Sequence, residues 1–344
     1  MFTDYVLLMF TTAPRRAKAV FNVLRGRRTV STLFAGLTYG CLDLLDGWHG
    51  VALDRFLVAA DQLVKDELLT APREGYLQLT PAGVRRQREL RQTRYWPTAW
   101  REFQTADVRR FTQVSRLALQ VGSEAVHGQS RYYPVTTNPS IQIRVKKWFR
   151  PWAASELGPA LYASLHAFLA SLTVAQAEVF VRSLTGFEHP GQTDQQLATE
   201  QKRLPVEMLV MRKDLMCQWV RWLKAHPQDP LWPLLAPLVK TSAVSKSAQQ
   251  TYAAFLQHGT LSEIATVRHL KLSTVREHLL EVAILTADFP FARLLSDAQC
   301  AQLATIFAAD PNIADWQFST AQAQAPDLDF FEFRLYQIMR CQHA

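Results

Sequence analysis

The segment SAQQTYAAFLQHGTLSEIATVRHLKLSTVREHLLEVAI, residues 247–284, leaves little freedom in how it folds. Tyr252, Phe255 and Leu256 form one stripe of a first helix that stops at Gly259, a residue type suited to the left-handed conformation that follows a helix C-terminus. Thr260-Leu261-Ser262-Glu263 reads as a capping box, in which the Thr hydroxyl meets the amide three residues on and the Glu carboxylate returns to the cap amide. Leu261, Ile264, Ala265 and Leu270 face inward, with Ala265 small where two helices must approach. Ser273 is expected to cap a third helix whose buried stripe is Val275, Leu279 and Val282, with His278 at its flank. The pattern predicts a trihelical helix-turn-helix.

Ser273, Thr274, Arg276 and Glu277 fall at the outer N-terminal end of that third helix, where a recognition helix meets the major groove, and Lys246 and Lys271 flank them as further DNA-binding candidates. The chemistry is mixed. Glu277 and Glu281 would repel phosphates, and Leu280 and Ile284, expected on the exposed side, would need a cover. One exposed Arg offers little direct base readout, so DNA contact and protein docking are both open.

Helical spacing recurs through the remaining sequence and strand-like alternation is nearly absent, which predicts a mainly α, multidomain protein. At 344 residues the chain calls for two or three cores. Proline-rich breaks, the strongest across 227–237 ahead of the polar connector KTSAVSKSA, suggest domains over 1–95, 96–240 and 243–344. In the first, a buried helix in TVSTLFAGLTYGCLDLL and an amphipathic helix from Asp54 to Leu69 precede a short strand at Tyr76–Leu79. Thr80-Pro81 then opens a basic helix, and the order helix, β element, Y-L-x-L-T-x-x-G (Tyr76 to Gly83) resembles the end of a winged helix. The middle is helical, and the Thr193 to Ala198 offset repeats that of Thr260 to Ala265, each after a Gly-terminated helix, as a degenerate second helix-turn-helix would.

The net charge of +8 is unevenly spread. Residues 1–150 carry 23 Lys+Arg against 12 Asp+Glu, and residues 286–344 carry 3 against 7. An anionic partner suits the basic half, as does the plainer reading of a solvated basic face. Arg85, Arg86 and Arg88 lead the basic helix, with Arg91 and Arg94 behind them, and RVKKWFR supplies Arg144, Lys146 and Lys147 interleaved with Trp148. Both clusters are candidate phosphate contacts, whereas Trp148 and Trp152 are expected to anchor the core. The acidic C-terminal stretch has two readings, docking on a basic surface or shielding the helix-turn-helix beside it.

Several classes are excluded. No stretch reads as a membrane span or signal peptide, and four scattered cysteines fit a reducing cytoplasm without a zinc or disulfide framework. No metal site or cofactor is expected. No G-x-x-x-x-G-K-[ST], G-x-S-x-G or G-x-G-x-x-G occurs, so neither a nucleotide motor nor a recognisable enzyme is predicted.

The ordered set Ser247 and Thr251, Phe255 and Gly259, Glu263-Ile264-Ala265, Arg268 and Leu270, Ser273-Thr274-Val275 and His278-Leu279 resembles the helix-turn-helix at the C-termini of RecQ-type DNA helicases. DLDFFEFRLYQIM, residues 327–339, is similar to the closing helix of that domain. A free-standing chain with this C-terminus resembles the YpbB-like proteins of Gram-positive bacteria, which accompany a short RecQ-type helicase. The resemblance implies a DNA-binding or adaptor role beside the helicase in DNA repair or recombination, with no motor activity. A sequence-specific transcription regulator and a protein-docking scaffold are the other functions this sequence fits.

Overall fold

A computed structural model describes residues 2–257 and 260–342, so the expected helix terminator Gly259 lies outside the described residues. The chain is mainly α-helical and forms two compact units, each assembled from separated stretches. One contains residues 1–14 and 54–241, the other residues 15–53 and 242–344. This grouping differs from three successive domains. Residues 15–53 pack with the C-terminal stretch and leave the rest of 1–95 behind, for a reason that lies in the third helix of the helix-turn-helix.

In the first unit the helix Leu53–Lys65 ends before Leu69, which instead begins a strand, Leu69–Arg73. That strand pairs antiparallel with Tyr76–Leu79 in the register Leu69 to Leu79, and the turn between them uses Gly75 at φ 72°. Thr80 caps the helix Pro81–Thr93 by accepting from the Gly83 amide at 3.0 Å. The glycine of the T-x-x-G pattern has a steric cause. A Cβ on Gly83 would lie 2.0 Å from the Leu68 carbonyl oxygen.

The long helices Val108–Val126, Ala154–Ala170 and Pro205–Ala225 build the core of this unit around Trp219, which is fully buried against Phe111, Phe168 and Phe180 at centroid distances of 5.7, 5.9 and 5.3 Å. Two carboxylates on the Pro205–Ala225 helix are fully buried. Asp214 accepts from the amides of Thr98 and Ala99 at 3.0 and 2.7 Å and from the Tyr95 hydroxyl at 2.5 Å, pinning the chain on both sides of Trp96-Pro97. Glu207 accepts from the Tyr95 amide at 2.8 Å and pairs with Arg203 and Arg94. Thr193 does cap a short helix, Asp194–Glu200, with a complete capping box. The preceding helix ends at Arg182, so Gly191 is not its terminator, but the parallel with Thr260 extends past the cap. Asp194–Glu200 and Leu261–Val267 are each followed by a four-residue turn with a left-handed residue, Lys202 or His269, and then by a longer helix starting at Pro205 or Leu272.

In the second unit the helix-turn-helix consists of Lys246–Gln257, Leu261–Val267 and Leu272–Leu285. Thr260 and Glu263 make the reciprocal capping bonds at 3.2 and 3.0 Å. Ile264, Val275, Leu279 and Val282 are buried as expected, and Leu261, Ala265 and Leu270 pack against them. Leu280 and Ile284 are buried as well, at 5% and 3% exposure, which reverses the expectation that they face solvent. The closing helix Phe330–Gln342 and the N-terminal helix Val30–Thr38 both pack on the third helix and supply the cover that such residues demand. A helix apolar on all sides needs neighbours on all sides. Glu281 is drawn into the same core, where it accepts from the Ser245 amide at 2.8 Å, the Ser245 hydroxyl at 3.0 Å and Arg28 at 3.2 Å.

Candidate nucleic-acid interface

The third helix of the motif offers solvent only its beginning. It starts at Leu272 with Lys271 at the cap position and no side-chain cap bond, so Ser273 lies inside the first turn and does not cap it. Lys271, Ser273 and Glu277 are exposed, Thr274 and Arg276 half-buried, and Lys246 is exposed at the start of the first helix. Arg276, the one cation expected to reach bases, pairs with Asp329 at 2.7 Å and lies over the Phe331 ring. Leu256 is 52% exposed and so leaves the apolar stripe assigned to it, joining exposed Val267 on the surface of the motif. His278 is held by Thr251, Oγ1 to Nδ1 at 2.8 Å, and burial lowers its pKa below the ordinary value.

The larger basic surface belongs to the other unit, which carries 25 Lys+Arg against 18 Asp+Glu. On the helix Pro81–Thr93, Arg85 and Arg88 are exposed and have no carboxylate partner among the described residues. Arg86 is engaged, with Glu89 at 3.1 Å and Asp4 at 3.7 Å. Arg94 pairs with Asp4 and Glu207, and Arg91 lies over Trp96. Two of the five arginines therefore remain for an external anion.

The helix Pro139–Phe149 is less compensated. Asn138 caps it, accepting from the Ser140 amide at 3.0 Å, and Lys146, Lys147 and the following Arg150 are exposed with Arg144 half-buried. Residues 125–155 contain five Lys+Arg and no Asp or Glu, and none of the five forms an ion pair with the described residues. Trp148 donates from Nε1 to the Pro230 carbonyl at 2.9 Å and is half-buried, an anchor more than a stacking platform. The exposed aromatic ring is elsewhere. Tyr133 is 96% exposed on the loop leading into this helix, and the loop is held by buried Gln120, whose amide donates to the Tyr133 carbonyl and accepts from the Val135 amide, both at 2.9 Å. A groove of about 650 Å³ runs beside it, walled by Leu117, Val121, Tyr132, Pro134 and Phe149 with Lys146 at the lining.

An exposed aromatic among uncompensated cations beside an apolar groove can stack a base while neutralising its phosphates. The sequence motifs do not single out Tyr133 and Arg131, although the long acid-free run around them is visible in the sequence. Among the described residues there is no cluster of His, Cys, Asp and Glu able to hold a metal, and no helix is long and apolar enough to cross a membrane.

The chain carries a helix-turn-helix near its C-terminal end: residues 247–337 match the family described as "Helix-turn-helix domain". Over a much longer span the chain is similar to Protein YpbB of Bacillus subtilis (strain 168), with 25% identity across 274 residues, 78% of each chain. No solved structure matches.

Proposed function

We propose that this chain is a non-catalytic DNA-binding accessory protein that works beside a RecQ-type DNA helicase in DNA repair or recombination. The observation that carries DNA binding is the uncompensated basic run at residues 125–155, with Tyr133 exposed within it. Arg85 and Arg88 add to it, and Lys246, Lys271, Ser273 and Thr274 are the exposed or half-exposed polar groups of the helix-turn-helix. Contacts of this kind read the phosphate backbone, so binding is non-specific and salt-dependent. The helicase partnership rests on the ordered motifs of residues 247–339 that resemble the C-terminal helix-turn-helix of those enzymes.

Fluorescence anisotropy of the full chain with duplex, forked and single-stranded DNA over a salt series tests the first part. A steep salt slope with little sequence preference is expected, and no binding at low salt would overturn it. Co-purification under gentle salt tests the second part, and recovery of the chain without a helicase would count against it. An operator-reading regulator fits less well, because Arg276 is already committed to Asp329.

A further inference from the structure

Beyond the groove, the loop before the helix Pro139–Phe149 contributes Val135 and Thr136 to a second concavity of about 140 Å³, lined also by Thr112, Gln113, Arg116 and Thr185. Its lining contains no carboxylate. It is also too small for a cofactor, since such pockets usually span roughly 300–1,000 Å³.

Arg116 is the unusual member. Its Nη2 donates to the Ser183 carbonyl at 2.5 Å, while its Nε is buried with no hydrogen-bond partner among the described residues. No carboxylate pairs with it among the described residues, because Asp194, the nearest acidic influence, is bound to Arg212 at 2.6 Å. Burial first, and then the Arg212 charge, lower its pKa to about 10. A guanidinium withdrawn from water without a counter-ion is unfavourable, and an anion beside it reverses that balance.

The hydroxyls are poised to help. Thr185 Oγ1 accepts from the Gly191 amide at 3.1 Å and Thr136 Oγ1 from the Asn138 amide at 3.3 Å, which leaves both hydroxyl protons available to donate. Thr112 spends its proton on the Val108 carbonyl at 2.7 Å. The lining therefore provides an arginine N–H, two hydroxyls and the Gln113 amide, all donors, in a space of single-group size.

We propose that this pocket binds one phosphate group, with Arg116 supplying the charge and Thr136, Thr185 and Gln113 the remaining hydrogen bonds. The phosphate comes either from a nucleic-acid strand on the adjoining basic surface or from a free phosphate or phosphomonoester, and the inference stands without the DNA-binding reading.

Calorimetry of the full chain with inorganic phosphate at constant ionic strength, compared with Gln113→Glu and Arg116→Gln, tests it. Gln113 is exposed, so a carboxylate there occupies the Arg116 charge without disturbing the core. One saturable phosphate site, weakened at least tenfold in Gln113→Glu, supports the proposal with a free ligand. If inorganic phosphate does not bind but a thymidine homopolymer loses at least tenfold in affinity to Gln113→Glu, and much less to the charge-matched Gln195→Glu, the proposal is supported with a phosphodiester. Phosphate and homopolymer binding both unaltered in Gln113→Glu would overturn it, as would absence of both in the wild-type chain. Circular dichroism melts of each variant establish that a loss of binding is not a loss of fold.

Discussion

Arg276 and Asp329 meet at 2.7 Å, and the same Asp329 caps the closing helix by accepting from the Glu332 amide at 2.9 Å. The cation best placed for DNA on the third helix is thus held by a residue from the acidic end of the chain. Asp329→Asn keeps an effective cap and removes the charge. If the motif meets DNA, this variant should bind more tightly at low salt, with a log–log salt slope steeper by about 0.9 for one more phosphate neutralised. An unchanged slope would place Arg276 away from the DNA. The stability change should stay below about 1 kcal/mol, because both partners are more than a third exposed.

Lys146→Glu with Lys147→Glu should weaken binding to every duplex alike and flatten the salt slope by about 0.9 for each phosphate that is no longer neutralised. Tyr133→Ala should instead act on single strands, with a loss of about 1–3 kcal/mol for one stacked base and little change on duplex. Anisotropy titrations of the two variants against both forms of DNA separate charge from stacking.

Glu281→Ala removes the acceptor shared by Ser245 and Arg28 inside the second unit. With a buried backbone amide left unsatisfied, the loss of stability should be about 2–3 kcal/mol, read from denaturant melts of the full chain. Arg28→Ala should cost less, because the Ser245 bonds survive it.

His278 supplies a pH dependence. Burial depresses its folded pKa below 6.5, outweighing Glu281 and Glu277, which raise it. The unfolded chain then binds the extra proton first, so the contribution of this histidine to stability is complete above about pH 6.5 and is lost as pH falls through the lower folded value. Melting temperatures from pH 7.5 to 5 should fall more for the wild-type chain than for His278→Gln, and equal slopes would contradict the assignment.

Residues 243–344 alone should be poorly soluble or loosely folded, since they lack the helix Val30–Thr38 that packs on the helix carrying Leu280 and Ile284. Joining residues 15–53 to that fragment should restore a cooperative melt and reduce binding of a hydrophobic dye.

Local rules made much of this protein legible. The Thr260–Glu263 and Thr80–Gly83 caps depend on neighbours three residues apart, and both stand where the sequence placed them. The buried stripe Val275, Leu279 and Val282 follows from helical spacing alone. What escaped depended on distant partners. Leu280 and Ile284 looked exposed because the helices packed on theirs are distant in sequence, one of them by more than two hundred residues, and Arg276 looked available because Asp329 belongs to another helix. Ser273 has the residue type of a cap, although the helix begins one residue earlier. At the candidate interface the cations of residues 144–150 are evident from composition, but the exposure of Tyr133 depends on how Gln120 holds its loop.

The split origin of the second unit sets a timetable for synthesis. Phe34 and Leu33 emerge from the ribosome early, yet the helices they pack with follow only after residues 54–241 have been translated, about 10–40 s later at 5–20 residues per second. Through that interval the helix Val30–Thr38 has only its near neighbours, such as the helix Ala17–Leu24, beside it, and the face that meets the C-terminal helices stays bare, a natural handhold for a chaperone. Any product cut short before residue 242 keeps it permanently, and so bears its own mark for proteolysis.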